Sequence, residues 1–288
     1  LLLKVQGGSG MPAAMERGEL DIGLGGVAPV AFFADRGNDF KIIAPLNTDG
    51  DMLVMKKDFG AGSWPEFIEK VRQSEKPLAI GYKAPVAVAK LIFERGLQAE
   101  GIDIGTRETG MTEAPLVRMV NLHGQKNMIP SLAAGVVDGF VTNEPAASKA
   151  VYKGCGEIVC DLAGLPPEGK WRNHPCCCVA ATGQTLREHP QVVRALLKLI
   201  VTATGWINED KLAAAEIASK WTRTPIEVEN QSVHHIQYLA RPTDSWRQGM
   251  ITWVKMMQGM GTFEAAFAKE QPEKVVDALC GFSFLPVE

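Results

Sequence analysis

The sequence lacks long apolar runs, basic runs and a dense set of cysteines. Its most apolar helical stretch, VVRALLKLIVTATGW, carries Arg194 and Lys198 and is too short to span a membrane. No five consecutive residues are basic and the net charge is -3, which argues against a nucleic-acid-binding protein. Six cysteines in 288 residues are too few for a disulfide scaffold. The composition that remains, 46% hydrophobic and 22% charged, is typical of a globular protein.

Signatures of catalysis and of nucleotide binding are also missing from the sequence. There is no nucleophile elbow and no His-Glu-x-x-His motif. The stretch GLGGVAP (23–29) lacks the full Gly-x-Gly-x-x-Gly pattern, and GGSG (7–10) is not followed by the Gly-Lys-Ser/Thr of a P-loop. A cytoplasmic regulator would need a DNA-binding helix-turn-helix and a basic patch, and the sequence contains neither. These absences favour a binding protein without cofactor, metal or catalytic residue.

What the sequence does contain is an alternation of short apolar strands and helices. Strands are predicted at 20–24, 40–47, 51–57, 76–82, within 114–123, and at 136–142. Helices are predicted at 27–37, 63–74, 85–100, 127–135 and 144–154. This alternation is typical of βαβ units, so the predicted fold class is α/β with a largely parallel sheet.

Two further regions have a different character. The polar, Gly-rich segment 101–113 is predicted to be a surface loop. After about residue 183 the helical patterns follow one another without strands, which predicts a helical C-terminal layer. Its four tryptophans are expected in the core, and its histidines are expected to be structural. These residues are Trp206, Trp221, Trp246 and Trp253, and His189, His234 and His235.

One block of sequence occurs twice. AAMERGELDIGLGGVAP (13–29) and PSLAAGVVDGFVTNEPAA (130–147) both predict a helix, a glycine, an aspartate three residues further on, a strand and a proline-initiated helix. The matched pairs are Gly18 and Gly135, Asp21 and Asp138, and Pro29 and Pro145. Both glycines suit the left-handed position after a helix, and both prolines suit a first helical turn. The repeat predicts two related lobes.

The turns that follow the two repeated strands are the expected ligand-binding elements. Residues 25–29 and 142–145 each connect the carboxyl end of a strand to the start of a helix, where α/β proteins bind ligands. Helix N-termini suit anions or polar groups, and a Gly-Gly turn lets a ligand approach the backbone. We therefore expect the two turns to face each other across a cleft.

The order of these blocks resembles one known family. GGSGMPAAMERGELDIGLGGVAPVAFFADRG, FKIIAPLNTDGDMLVMKKD, AIGYKAPVAVAKLIF and IPSLAAGVVDGFVTNEPAASKA together resemble the solute-binding proteins of ABC importers for nitrate, sulfonates, taurine and thiamine-pyrimidine precursors, the NMT1/THI5-like group. The resemblance covers roughly residues 5–200. Because the family pattern begins with a strand and a helix upstream of LLLKVQGGSG, the resemblance implies a preceding segment that includes the signal.

The resemblance implies a fold and a role. The fold is the two-lobed periplasmic-binding-protein type II, with lobe one at 1–77 plus 175–288, lobe two at 78–174 and a hinge near 76–79 and 172–178. The role is capture of a small anion or heterocycle by hinge closure. The expected partners are an ABC permease and ATPase, with no nucleic acid. The protein is expected to be an extracytoplasmic, periplasmic monomer that meets a membrane only through its transporter or an N-terminal anchor.

The residues expected to contact ligand lie at predicted strand ends, helix starts and the hinge, and all except Val27 are polar or glycine. They are Ser9, Gly10, Gly25, Gly26, Val27, Asn47, Thr48, Asp49, Tyr82, Lys83, Asn143, Glu144, His174 and Cys176. Lys83 is suited to neutralise an anion, and Glu144 to bind a cationic or amine-bearing ligand. For several of these residues an alternative stays open. Residues 47–49 suit simple turn chemistry, Lys83 a solvated surface, and Asn143 and Glu144 a helix cap.

The run NHPCCCVAAT (173–182) carries an enzyme alternative. Fungal thiamine-pyrimidine synthases of similar fold have a Cys-Cys-Cys-Phe-Cys motif tied to iron, whereas here Ala180 replaces the last cysteine. Adjacent cysteines on a strand point to opposite faces, so all three cannot ligate one metal without distortion. The alternatives are therefore a buried strand using small apolar thiols, or a pyrimidine synthase-like or desulfinase enzyme using Cys176–Cys178.

Overall fold

The computed structural model describes residues 2, 3, 5, 10–106 and 115–287, and these divide into two compact units. Unit 1 contains the chain up to Thr48, Asn173–Ala214 and the segment from Gln237 onward. Unit 2 contains Asp49–Arg172 and Ala215–Ile236. The chain therefore passes from one unit to the other four times.

The strands and helices alternate in the first two thirds of the chain. The strands are β1 (Ile22–Gly26), β2 (Phe40–Asp49), β3 (Asp51–Lys56), β4 (Leu78–Tyr82), β5 (Ile104–Thr106), β6 (Val117–Asn121), β7 (Gly139–Asn143), β8 (Gly156–Asp161), β9 (Pro175–Thr182) and β10 (Ile236–Tyr238). The helices are α1 (Gly10–Glu16), α2 (Val27–Asp35), α3 (Trp64–Gln73), α4 (Val88–Ala99), α5 (Met128–Ala133), α6 (Ala146–Tyr152), α7 (Gly183–Glu188), α8 (Pro190–Glu209), α9 (Lys211–Thr222), α10 (Ile226–His235), α11 (Asp244–Gly259) and α12 (Pro272–Leu279). This pattern confirms the predicted α/β class.

The described residues of unit 1 form a sheet of order β1-β9-β2-β10. Both β1 and β2 pair with β9 in the antiparallel direction, because β9 belongs to a segment that returns from unit 2 and enters the sheet between them. The sequence predicts a mostly parallel sheet in each lobe, and these ladders differ from that expectation. Helix α8 covers one face of this sheet, where Val193 and Leu197 are fully buried against Val179.

The described residues of unit 2 form a sheet of order β5-β6-β4-β7-β3-β8. Strands β5, β6, β4 and β7 run parallel, whereas β3 pairs antiparallel with both β7 and β8. On one face, α5 and α6 pack against Met52, Val54 and Phe140. Helices α3 and α4 also contact the strands, and their Phe67 and Phe93 rings lie 5.9 Å apart in the core. Unit 2 therefore has the helix-covered sheet that its sequence pattern predicts.

The pairing of β3 moves the first boundary away from the predicted one. The family resemblance implies that residues 49–77 belong to lobe one, but β3 hydrogen-bonds β7 and β8 and therefore belongs to unit 2. The predicted crossing at 172–178 coincides with the passage after Arg172, whereas 76–79 lies inside unit 2. Residues 215–236 also return to unit 2, where α10 contacts α6. Hydrophobic pattern shows that a segment is a strand, but not which sheet it joins.

The duplicated block makes the same local structure twice. Gly18 and Gly135 have φ angles of +70° and +69°, the left-handed conformation expected after a helix. In each copy the glycine N–H donates to the carbonyl three residues back, and the next N–H donates to the carbonyl five residues back. Asp138 accepts hydrogen bonds from Lys56 Nζ at 2.7 Å and Ala79 N at 3.0 Å. Burial alone would raise its pKa, but these bonds outweigh burial and lower it.

The helical C-terminal layer is also present. Three features differ from prediction, two of them in this layer and one in the predicted loop 101–113. A short strand, β10, follows α10, and β5 begins inside the segment predicted as a loop; residues 107–113 of that loop lie outside the described residues. Trp246 and Trp253 are buried as expected. Trp206 and Trp221 are 39% and 77% exposed, because helical spacing does not reveal which helix faces the protein leaves uncovered. Within the described ranges no helix has the length and apolarity needed to cross a membrane.

Candidate ligand-binding site

The parallel strands of unit 2 carry polar side chains at their carboxyl ends. Strand β6 ends at Asn121, β4 is followed by Lys83, and β7 ends at Asn143. The register pairs Tyr82 with Asn121, so these ends lie side by side on neighbouring strands. Lys83 Nζ donates a hydrogen bond to Asn143 Oδ1, which brings two predicted residues together. All three polar side chains are partly exposed, and this edge is where α/β sheets bind ligands.

Tyr82, another predicted residue, lies within unit 2 rather than on its surface. It is 2% exposed, and Lys90 Nζ of α4 lies 5.1 Å from the centre of its ring. Lys90 in turn is 3.0 Å from the carboxylate of Glu94, one turn further along α4, and both side chains are 8% exposed. The Tyr82 ring therefore packs in the interior of unit 2 at the end of β4, next to the buried ion pair of Lys90 and Glu94.

Glu144 follows β7 directly, and its carboxylate is bound inside unit 2. Its side chain is fully buried. Oε1 accepts hydrogen bonds from Ser148 Oγ at 2.8 Å and from His235 Nδ1 at 2.6 Å, and Oε2 accepts one from Ser148 N at 3.0 Å. Because a carboxylate oxygen only accepts, His235 Nδ1 carries the proton in this bond. Glu144 thus satisfies the start of α6, as the helix-cap alternative proposed, and also holds α10.

The pair formed by Glu144 and His235 changes the titration of the histidine. The hydrogen bond that His235 donates to Glu144, together with the charges of Glu144 and Asp161, raises the pKa of His235 above its usual value, although partial burial opposes the shift. Whenever the imidazole is protonated, its charge balances that of the Glu144 carboxylate. Lys83, the residue directly after β4, is the cationic side chain at the end of that strand.

In unit 1 the strand ends bring another group of predicted residues together. Strand β9 lies between β1 and β2, and Cys177 is opposite Gly26 on one side and Asn47 on the other. Gly26 is also the N-cap residue of α2, in which Val27 is the first residue and Pro29 lies in the first turn. The Gly-Gly turn, Asn47 and the cysteine run therefore meet at one end of the unit 1 sheet.

A cavity of about 390 Å³ opens at this end of the sheet. Its walls are mainly apolar and come from three neighbouring strands, α8 and β10. The lining residues are Leu24, Gly25, Leu46, Asn47, Cys177, Ile200, Ala203, Thr204, Ile207 and Tyr238. Ile200, Thr204 and Ile207 continue the helical stripe begun by Val193 and Leu197; they are partly buried and line the cavity, and Ile200 also packs against the unit 1 core.

The three adjacent cysteines differ in environment, as the alternation of a strand requires. Cys177 is partly exposed and lines the cavity, whereas Cys176 and Cys178 are 4% and 0% exposed. Burial and the neighbouring Cys177 raise the pKa of the Cys178 thiol well above its usual range. Among the residues that the structure describes, no cluster of three or more His, Cys, Asp or Glu side chains is arranged to hold a metal ion. The run matches the alternative of small apolar thiols in a buried strand.

The other predicted residues are distributed as follows. His174 is 3% exposed, and its ring packs edge-on against Trp253 at 6.5 Å. Thr48 and Asp49 are buried where the chain leaves unit 1, and Asp49 adopts a left-handed φ of 59°. Gly10 is the first residue of α1. Ser9 lies outside the described residues.

Several residues of these two regions were not predicted from the sequence. Asn121 and His235 in unit 2, and Leu24 and the α8 residues in unit 1, were not predicted as site residues, and Cys177 was named only in the enzyme alternative. A signal for α8 was present, because residues 193, 197, 200, 204 and 207 are spaced as one helical face. Nothing in the sequence indicates that His235 reaches Glu144, 91 residues away.

Comparison with solved structures defines the class of fold. Similar structures include a ligand-binding component of an ABC-type import system from Staphylococcus aureus (TM-score 0.74, 15% identity, 94% of this chain and 88% of that chain). Others are the alkanesulfonate-binding protein SsuA from Xanthomonas axonopodis pv. citri (0.71, 13%, 96% and 86%) and the periplasmic nitrate-binding protein NrtA from Synechocystis PCC 6803 (0.70, 15%, 92% and 72%). The chain therefore has the periplasmic-binding-protein fold.

The sequence places the chain more narrowly within this fold class. It matches the NMT1-like family over residues 2–222, and the chain belongs to that family. No curated protein matches the sequence. The family resemblance expected from the order of the sequence blocks is thus confirmed.

Proposed function

We propose that the protein is the extracytoplasmic solute-binding component of an ABC importer and that it binds its ligand without transforming it. Fold and family support this role, since the three similar structures are named as binding components of import systems or as periplasmic binding proteins. A permease and an ATPase are the partners that such a role requires.

The observation that carries the proposal is the polar edge of the unit 2 sheet. Lys83, Asn121 and Asn143 stand at the carboxyl ends of three neighbouring parallel strands and remain partly exposed. One ammonium and two amides are suited to an anionic or hydrogen-bond-accepting group, because charge-assisted hydrogen bonds are the strong ones. We assign Lys83 the charge-neutralising role and the two asparagines the orienting role.

The unit 1 cavity, considered by itself, is suited to a small molecule that has an apolar part. Its volume of about 390 Å³ and its apolar walls fall within the range of small-molecule sites. Nitrate has no apolar part to bury there. We therefore favour an organic ligand, such as an alkanesulfonate or a substituted pyrimidine, over nitrate. Capture between two lobes that close by hinge bending is part of this proposal and depends on the family resemblance.

The enzyme alternative draws no support from the cysteine run. Cys176 and Cys178 are buried, and the raised pKa of Cys178 opposes formation of the thiolate that nucleophilic or metal-binding chemistry needs. Cys177 lines the cavity, where a thiol also serves as a small apolar side chain. A binding role uses each of these features without requiring a reaction.

A ligand screen with a product check tests the proposal. Thermal unfolding is measured with nitrate, ethanesulfonate, taurine and 4-aminopyrimidine, and each compound is then recovered and identified by mass spectrometry. We expect at least one organic compound to raise the melting temperature and to be recovered unchanged, because a ligand that binds only the folded state stabilises it. Small-angle scattering with that compound should show compaction.

Two results would contradict the proposal. One is an unchanged melting temperature with every compound in the screen. The other is conversion of a compound into product, with loss of that activity in a Cys177→Ser variant. The second result would revive the enzyme alternative.

A further inference from the structure

A buried network in unit 2 connects the end of β7 to α10. Glu144 Oε1 accepts hydrogen bonds from His235 Nδ1 at 2.6 Å and Ser148 Oγ at 2.8 Å. The Glu144 side chain is fully buried and that of His235 is 29% exposed. An ion pair in which one partner has no access to water is screened little by solvent. The network is therefore a specific connection between two elements far apart in sequence.

The same network fixes two segments where the chain passes between units. Glu144 N donates to Gly50 O at 2.9 Å, and Gly50 follows the passage after Thr48. Gly50 has a φ of +81°, and a Cβ there would lie 2.8 Å from Ile236 Cγ1, directly before the passage after Ile236. Glu144 thus hydrogen-bonds Gly50 and His235, each of which lies within two residues of a passage between the units.

Asn143 is the residue through which this network reaches the proposed ligand contact. It is the neighbour of Glu144 in sequence, it pairs with Asp51 of β3, and its Oδ1 accepts a hydrogen bond from Lys83. If Glu144 moves, the peptide that carries Asn143 moves with it. His235 itself does not contact Lys83 or Asn143 in any hydrogen bond of the described structure.

We propose that His235 is a positioning residue: paired with Glu144, it fixes the end of β7 and so holds Asn143 in the orientation that ligand binding needs. This inference rests on the proposed binding function. It also makes binding dependent on pH, since the pair exists as an ion pair only while His235 is protonated.

The direction of the pH dependence follows from the groups around His235. Glu144 and Asp161 both favour the protonated imidazole and raise its pKa. The other titratable groups on the packed elements are Asp49 and Asp51 beside Gly50, Lys149 and Tyr152 on α6, Glu157 and Cys160 on β8, and Glu227, Glu229 and His234 on α10. Because the folded pKa is above the unfolded value of about 6.5, the stabilising contribution is complete below that pH and is lost as pH rises through the folded pKa.

The test begins with ligand-free protein, so that its result is independent of the proposed function. The imidazole of His235 and the backbone amides of Asn143 and Glu144 are followed by NMR as the pH is raised. We expect both amide signals to shift with the pKa of His235. In Glu144→Gln that pKa should fall toward about 6.5. The matched control is His234→Gln, because His234 is exposed and its Nδ1 hydrogen-bonds the Asn230 carbonyl of its own helix at 2.6 Å.

Affinity for the best compound of the ligand screen is then measured across the same pH range. We expect wild type and His234→Gln to lose affinity as His235 deprotonates, and His235→Gln to be weak and independent of pH. His235→Lys should restore affinity and extend it to higher pH. The inference would be overturned if the pKa of His235 were unchanged in Glu144→Gln. It would also be overturned if the Asn143 amide signal did not shift as His235 titrates. If no compound binds while the amide titration is present, the proposed function fails and the connection stands.

Discussion

The two units carry related Gly-x-x-Asp blocks, yet the strands that follow these blocks end in different chemistry. In unit 1, β1 ends in Gly25 and Gly26 beside an apolar cavity. In unit 2, β7 ends in Asn143 and is followed by Glu144, with Lys83 bound to the former and His235 to the latter. A repeated backbone plan therefore supplies apolar contacts in one copy and charge in the other. Four predictions test this difference.

The largest effect, on the stability of the fold, is expected from the buried ion pair of Lys90 and Glu94 next to Tyr82. Lys90→Met removes the cation beside Glu94, whose side chain is 8% exposed, and should destabilise the protein by about 3–5 kcal/mol because a buried charge loses its counterion. Urea unfolding measures the loss. The double variant Lys90→Met/Glu94→Leu should recover most of it. Equal stability of the single variant and wild type would show that unit 2 does not depend on buried charge.

Lys83 is the residue for which we expect the largest effect on binding. Lys83→Gln should weaken an anionic ligand such as ethanesulfonate by about 10- to 100-fold, since a hydrogen bond to a charged group contributes about 1.5–3 kcal/mol. Titration calorimetry measures the change. Lys126→Gln, an exposed lysine of unit 2 in a short 3₁₀ turn, is the control and should bind as wild type does. Equal losses of affinity in both variants would mean that binding depends on the net charge of unit 2 and not on the position of Lys83.

Gly50 tests the backbone frame around Glu144. In Gly50→Ala the new methyl group must share space with Ile236 at a φ of +81°, which should cost more than about 1 kcal/mol of unfolding free energy. Gly164→Ala is the control, because a methyl group there meets nothing within 4 Å and its φ is not left-handed. The two variants are compared by thermal unfolding. Equal stabilities would show that the Gly50 turn adapts without strain.

The smallest effect concerns the thiols of unit 1 and requires no change of stability. Cys177 lines the cavity and should react with N-ethylmaleimide before Cys178, which is fully buried and has a raised pKa. Cys160 and Cys280 should also react slowly, because burial raises the pKa of each to about 12. Peptide mass spectrometry after brief labelling gives the order. Faster labelling of Cys178 than of Cys177 would mean that Cys177 does not line an accessible cavity.

Local sequence pattern predicted the elements of this fold well, but not their long-range partners. The helix predicted at 63–74 begins where expected, since Ser63 Oγ accepts a hydrogen bond from Glu66 N at 3.5 Å at the start of α3. The left-handed glycines after α1 and α5 are likewise local features. By contrast, the membership of β3 in the second sheet depends on hydrogen bonds to β7 and β8, and no local pattern contains that information.

The candidate site shows the same limit. Lys83 and Asn143 could be found because polar residues after apolar strands mark strand ends. The cavity depends on where α8 lies over the sheet, and the Glu144–His235 pair joins residues 91 positions apart, so neither follows from spacing.

An NMR titration of isotopically labelled protein with ethanesulfonate and with 4-aminopyrimidine tests most directly whether unit 2 recognises solute through its strand ends. We predict that backbone amides near Lys83, Asn121 and Asn143 shift on addition of at least one compound, and that the shifts disappear in Lys83→Gln. Binding that leaves all three strand ends unchanged would contradict this conclusion.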